Sequence, residues 1–150
     1  MDTKLFIVVV CLLPFLQSTL AGYTDCGSAD GSIIDVSVTN CAPTARRCIL
    51  KRNTNATMTI NFKSNVKSDS LTAEVHGIIM GVPVAFDLPN TDGCKDSGIV
   101  CPLSADSSYE YTTTMPIKSS YPRITVEIKW QLIDAEGKNV ICALIPAKIS

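Results

Sequence analysis

The chain has 150 residues and a formal charge of −1, with thirteen basic residues against fourteen acidic ones. Because no basic run extends beyond Arg46-Arg47, this balance argues against a surface that follows a nucleic-acid backbone, and no nucleic-acid partner is expected. One histidine, and cysteines without a Cys-x₂₋₄-Cys spacing, argue against the usual zinc sites, so neither a metal nor another cofactor is expected.

The first 21 residues have the layout of a secretory signal peptide. Lys4 supplies a positive charge, an apolar run extends from Leu5 to Leu16, and Thr19-Leu20-Ala21 resembles a small-residue cleavage site. The apolar run is shorter than the roughly 20 residues that a membrane-spanning helix needs, so a membrane anchor is the weaker interpretation. We predict a signal peptide at 1–21, one mature domain at 22–150 and a secreted protein.

Six cysteines remain when Cys11 leaves with the signal peptide, and an even number on an exported chain indicates three disulfides. Two short, turn-rich segments have ends that can meet, which predicts the pairs Cys41–Cys48 and Cys94–Cys101. The remaining pair, Cys26–Cys142, ties the two ends of the mature domain together.

Alternating apolar and polar residues predict strands at 32–39, 57–63 and 71–76, followed by a short, proline-bounded edge strand at 82–86. In the first of these strands, Ile34, Val36 and Val38 are expected to share the buried face.

The second half of the chain repeats this pattern. Strands are predicted at 109–117 and 124–132, and a turn at 134–138 leads to a last strand at 139–145 that is apolar on both sides. No window shows sustained helical periodicity. About seven strands with turn-rich connections predict an all-β fold, an antiparallel β-sandwich of immunoglobulin-like type.

Catalytic machinery is not visible in the sequence, so the chain is not expected to be an enzyme. His76 is the one histidine that a catalytic triad would have to use, and its neighbours do not form a nucleophile elbow. Glycines occur without the following helix of a phosphate-binding loop. A hydrolase with a pair of carboxylates remains an alternative, because spatial pairing cannot be read from sequence.

Apolar residues continue into two segments where loops are expected, at 77–84 and 115–122. Apolar residues on inward strand faces are most simply core, but loops do not normally expose this much apolar surface. Together these segments predict an apolar pocket between the two sheets, with an opening through which a lipid enters. Asn55-Ala56-Thr57 is a glycosylation sequon, which predicts a glycan at Asn55.

Ordered motifs across the mature chain carry a resemblance to a known family. They are Asp25-Cys-Gly-Ser28, Asp30-Gly31, Val75-His-Gly-Ile78, Met80-Gly-Val-Pro-Val84, Asp92-Gly-Cys-Lys95, Ser97-Gly-Ile99, Cys101-Pro102, Lys118-Ser119, Tyr121-Pro122 and Glu127-Ile-Lys-Trp-Gln-Leu132. On these motifs the chain resembles the Niemann-Pick type C intracellular cholesterol transporter 2 family, within the ML lipid-recognition superfamily.

The resemblance implies a secreted or lysosomal carrier that takes a sterol between its sheets, apolar tail inward, and transfers it between membranes or to a membrane receptor. We expect the carrier to be a monomer. The three positions at the heart of the family's pocket fall on Phe86, Ile117 and Tyr121. Other lining positions fall on Val38, Val84, Tyr111, Met115, Pro116 and Trp130. The surface that meets a membrane or partner falls on His76, Gly77, Ile78, Ile79, Met80, Gly81 and Val82.

Departures from the family pattern concern the ligand more than the fold. Ile117 stands where a valine is expected, Ala143 stands where a tryptophan is expected, and the Asn55 sequon begins about four residues early. Arthropod-like members and group 2 mite allergens, which are associated with fatty acids, semiochemicals or bacterial lipids, are similar too. The alternative function is therefore a lipid or semiochemical recognition module in chemosensing or innate immunity.

Overall fold

The computed structural model describes residues 22–150, so the predicted signal peptide at 1–21 lies outside the described residues. Nine strands follow one another along the chain: β1 (Thr24–Asp25), β2 (Gly31–Val38), β3 (Cys48–Leu50), β4 (Thr54–Ser64), β5 (Leu71–Ile79), β6 (Val82–Ala85), β7 (Ser107–Ile117), β8 (Thr125–Asp134) and β9 (Asn139–Ile149). Within this range, no helix has the length and apolar character needed to cross a membrane.

The strands form two sheets. The larger has the order β1-β9-β8-β5-β6 with β3 also beside β9, and the smaller has the order β2-β4-β7. Every pair is antiparallel except β3 with β9. The predicted all-β, immunoglobulin-like sandwich is confirmed. It contains more strands than expected because β1 and β3, with two and three residues, are too short to show alternation.

The core lies between the two sheets. Every second residue is buried from Met58 to Ser64 in β4, from Leu71 to Gly77 in β5 and from Val126 to Asp134 in β8. This period of two is that of strands with one face turned to the interior. In β9 the neighbouring residues Cys142 and Ala143 are both buried. Ala143 faces the core, and Cys142, on the opposite side of the strand, is covered because it is bonded to Cys26.

The predicted inward position of Ile34 is wrong. In the pairing of β2 with β4 the register shifts between Ile33 and Asp35, so that Ile33 pairs with Phe62 and Val36 with Ile60. An extra residue in one strand reverses the alternation of side chains on either side of it. Ile34 is accordingly 57% exposed, and Ile33 takes the inner position.

Three disulfides join Cys26 to Cys142, Cys41 to Cys48 and Cys94 to Cys101, the pairs expected from the cysteine spacing. The first connects residues 116 positions apart and the other two each close a segment of 7 positions. The long-range bridge fixes the N-terminal segment to β9, whereas the short ones brace single turns.

Candidate functional site

An aromatic pair joins the two sheets at the edge where β6 ends and β7 leads into the next loop. Phe86 follows β6 of the larger sheet, and Tyr121 lies in the loop after β7 of the smaller sheet. Their ring centroids are 5.2 Å apart and the rings are perpendicular. This edge-to-face arrangement is a favourable one for aromatic rings. Both side chains are half-buried, and we call this pair the mouth.

An ion pair lies beside the mouth. The Lys118 Nζ is 3.7 Å from an Asp87 carboxylate oxygen, and the two side chains are 47% and 91% exposed. Because exposed ion pairs are screened by water and salt, this contact contributes little to stability. Because β6 and β7 belong to different sheets, the contact across the mouth is made by the two aromatic side chains.

Because Gly77 of β5 has no side chain, the Phe86 ring can occupy the space next to it. A Cβ atom at Gly77 would overlap the ring of Phe86 and would lie 3.1 Å from a methyl carbon of Val126. The backbone of Phe86 is fixed nearby, since its N–H donates to the carbonyl oxygen of Val75 at 2.9 Å. The predicted place of Gly77 on the membrane-facing surface is wrong, because Gly77 is buried beneath the Phe86 ring.

Five of the predicted lining residues are buried on the facing surfaces of the two sheets. They are Val38, Tyr111, Met115, Ile117 and Trp130. Tyr111 and Trp130 have an exposure of 1% and 0%, which leaves no room for a water molecule beside them. The space between the sheets is thus filled with side chains, and a ligand there must displace them.

Trp130 lies deeper than the mouth, in a row with Val75 and Ala143 across three neighbouring strands. The family resemblance predicts tryptophan at position 143. Because this residue is alanine, Trp130 has a small neighbour on that strand. The Tyr111 ring is 6.1 Å from the Trp130 ring. Burial raises the pKa of Tyr111, and the adjacent Thr113 and Trp130 side chains offset part of this rise. Although the two rings are close, the indole N–H has no partner in hydrogen-bonding geometry.

Two predicted lining residues lie elsewhere. Pro116 pairs with the exposed Asn55, and the alternation along β7 places it on the outer face, between the buried Met115 and Ile117. Val84 pairs with Gly77 but is 47% exposed, so it lies at the rim of the interior. Pro116 is therefore not a lining residue, and Val84 lies at the edge of the predicted pocket.

Within the predicted membrane-facing segment, the apolar residues that protrude lie at the tip of the β5–β6 hairpin. Met80 is 98% exposed and Val82 is 60% exposed, with Gly81 between them in the turn. Met80 and Gly81 both have positive φ, at 51° and 81°, a conformation that favours glycine. His76, Ile78 and Ile79 are half-buried instead, so the exposed surface narrows to Met80–Val82.

Asn55 is exposed on the outer face of β4, and its glycosylation stays a prediction. Between residues 22 and 150, no group of three or more His, Cys, Asp or Glu side chains is arranged to hold a metal ion.

The ML domain family matches residues 22–149. The "NPC intracellular cholesterol transporter 2 homolog a" of Drosophila melanogaster is 40% identical over 96% of this chain and 97% of its own. The "NPC intracellular cholesterol transporter 2" of Bos taurus is 42% identical over 85% of this chain and 83% of its own. The crystal structure of a Niemann-Pick type C2 protein from the Japanese carpenter ant is similar with a TM-score of 0.82 and 31% identity, over 85% of this chain and 98% of that one.

Proposed function

Because the chain belongs to the ML domain family, we propose that it is a carrier that holds a sterol between its two sheets and transfers it between membranes or to a membrane receptor. Family membership confirms the prediction that the chain is not an enzyme. The sterol is supported by the cholesterol transporters among the relatives, and the site between the sheets by the geometry of the mouth.

The observation that carries this proposal is the Phe86–Tyr121 pair, which closes an apolar interior with side chains only. β6 and β7 belong to different sheets, so no backbone ladder has to break when the mouth opens. Inside it, the buried faces of both sheets are apolar apart from a few hydroxyl groups, the Trp130 indole and the Asp134 carboxylate at the end of β8. Such an interior matches the hydrocarbon part of a lipid, and the Asp134 carboxylate is already hydrogen-bonded to the N–H groups of Glu136 and Lys138 in its own turn.

Burial of hydrocarbon would supply the affinity. Removing about 300 Å² of sterol surface from water at ~25 cal/mol per Å² contributes roughly 7 kcal/mol before the costs of association. Displacement of the residues that now fill the interior reduces this gain. Micromolar affinity corresponds to about 8 kcal/mol, so it requires burial of more than this area together with close packing of the lipid against the side chains.

Ala143 favours a second candidate that uses the same interior. A small residue beside Trp130 changes the shape of the space deep between the sheets, and a fatty acid or another lipid fits a differently shaped site. The chain would then act in lipid recognition, in chemosensing or innate immunity. Identification of the lipid that copurifies with the protein, by native mass spectrometry, distinguishes the two candidates.

Phe86→Ala and Tyr121→Ala are each expected to weaken cholesterol binding about tenfold, because each removes an aromatic ring from the mouth. Binding of cholesterol to the purified protein measures this effect. Tyr23→Ala is the matched control, since Tyr23 is also a half-buried aromatic residue but lies in the N-terminal segment. Unchanged affinity in both mouth variants would contradict the assignment of the site.

The exposed hairpin tip is proposed to touch the membrane during transfer. Met80→Ser combined with Val82→Ser is expected to slow sterol transfer between vesicles about tenfold, because less apolar surface enters the lipid interface. Cholesterol affinity in solution should stay unchanged. Val100→Ser provides the control, since Val100 is 84% exposed but lies within the Cys94–Cys101 segment. Equal transfer rates in all three proteins would exclude the tip as the contact surface.

We further propose that the carrier is an exported monomer, directed by the predicted signal peptide at 1–21 and glycosylated at Asn55. The three disulfides support export through an oxidising compartment, which is consistent with a destination outside the cell or in the lysosomal lumen.

A further inference from the structure

We propose that Arg52 is a positioning residue for the mouth: it holds the Tyr121 side in place and thereby sets how fast lipid enters and leaves. The inference rests on the proposed carrier function, because it concerns the exchange of the same lipid. Arg52 is not one of the predicted site residues. Its side chain contacts the loop after β7 and not the interior.

Arg52 lies where the chain crosses from one sheet to the other, in the turn between β3 and β4. Its Nη1 donates to the carbonyl oxygen of Ser119 at 3.1 Å and to that of Tyr121 at 3.4 Å. Both carbonyls belong to the loop between β7 and β8, which also crosses from one sheet to the other. The guanidinium group thus ties together two connections at the same end of the sandwich.

The turn that carries Arg52 is itself fixed by backbone hydrogen bonds. The Arg52 N–H donates to the Ser150 carbonyl oxygen at 2.9 Å, and the Asn53 N–H donates to the Ile117 carbonyl oxygen at 2.7 Å. The Thr54 hydroxyl donates to the Lys51 carbonyl oxygen at 2.6 Å. The Arg52 side chain therefore extends from a turn whose backbone is hydrogen-bonded to the ends of β7 and β9.

The two sides of the mouth are held differently. The Tyr121 side has the two bonds from Arg52 and a backbone bond from the Tyr121 N–H to the Lys118 carbonyl oxygen at 3.1 Å. On the Phe86 side, the Phe86 N–H likewise donates to the Val75 carbonyl oxygen at 2.9 Å, but no charged donor holds the segment, and Asp87 makes only an exposed ion pair with Lys118 among the described residues. Hydrogen bonds from a charged donor are stronger than neutral ones. We infer that Tyr121 is the fixed side and that the Phe86 ring moves when lipid passes.

This arrangement has a kinetic signature. Arg52 contacts backbone carbonyls and not the lipid, so it stabilises the closed mouth equally with and without ligand. Removal of the Arg52 side chain therefore favours the open mouth both with and without bound lipid. Lipid should enter and leave faster by a similar factor, with little change in the dissociation constant, because a group that acts equally on two states shifts no binding equilibrium.

Stopped-flow measurement of Arg52→Ala tests the proposal, with energy transfer from Trp130 to dehydroergosterol as the signal. Trp130 is the one tryptophan of the chain, so the signal has a single origin. Both the association and the dissociation rate are expected to rise about tenfold, while the dissociation constant stays within about twofold. Arg52→Lys should give intermediate rates, because an ammonium group keeps the charge without the planar fork. Lys51→Ala is the matched control, since Lys51 is the neighbouring basic residue and contributes its main-chain carbonyl oxygen to the turn.

Unchanged rates in Arg52→Ala would overturn the proposal. It is also overturned if only dissociation accelerates and the melting temperature falls by more than ~5 °C, since that describes a structural role. The rates are measured with parinaric acid as well, a fluorescent fatty acid, so that the result does not depend on one class of lipid. If the wild-type protein binds neither probe, the carrier function fails and this inference with it; if it binds but Arg52→Ala behaves as wild type, this inference alone fails.

Discussion

Gly77→Val is expected to lower lipid affinity about a hundredfold while leaving the sandwich folded. The added side chain takes the place of the Phe86 ring and meets Val126, so the ring is expelled and the mouth is blocked at the same time. Valine suits a strand, and the atoms it meets are side-chain atoms that can move. Equilibrium binding of cholesterol or the copurified lipid measures the loss, and thermal unfolding checks the fold.

Thr72→Val is the control for this experiment. Thr72 lies on the same strand but on the exposed face, so the same residue introduced there should leave lipid binding unchanged. Retention of wild-type affinity in Gly77→Val would show that lipid binding does not need the Phe86 ring in its place over Gly77.

Removal of the Cys26–Cys142 bridge, by serine at both positions, is expected to lower the free energy of unfolding by about 5 kcal/mol. The bridge closes a segment of 116 positions, and the loop entropy released in the unfolded chain grows with the length that is closed. The same change at Cys41 and Cys48, which are 7 positions apart, should cost about 2 kcal/mol. Urea unfolding of the oxidised proteins measures both values. Equal losses in the two variants would contradict the dependence on chain length.

Much of the fold is predictable because its strands have one buried face. The strands around Ile60, Val75 and Ile128 follow strict alternation in the sequence, and each occurs in the structure. Ile34 departs from the predicted alternation because a bulge inserts one residue into β2, and a bulge cannot be recognised from an apolar-polar pattern. Pro116 departs for another reason: the family resemblance assigned it to the pocket, whereas the alternation of β7 places it outside.

The candidate site is less predictable than the fold. Phe86, Ile117 and Tyr121 were assigned from the family resemblance, since nothing in the spacing of these residues brings them together. The roles of Gly77 and Arg52 depend on contacts between distant parts of the chain. A glycine next to a histidine, or an arginine in a turn, carries no local signal of such contacts.

Quenching of Trp130 fluorescence by a spin-labelled lipid tests most directly whether the lipid lies between the two sheets. Trp130 is the one tryptophan, is fully buried and lies deeper than the mouth, and a spin label quenches only over a short range. Two lipids are compared, one labelled at the end of its hydrocarbon tail and one labelled at its polar end. If the tail enters between the sheets, the tail label quenches Trp130 strongly and the polar-end label quenches it weakly. Binding of both lipids without quenching by either label would place the ligand outside the sandwich and contradict the proposed carrier site.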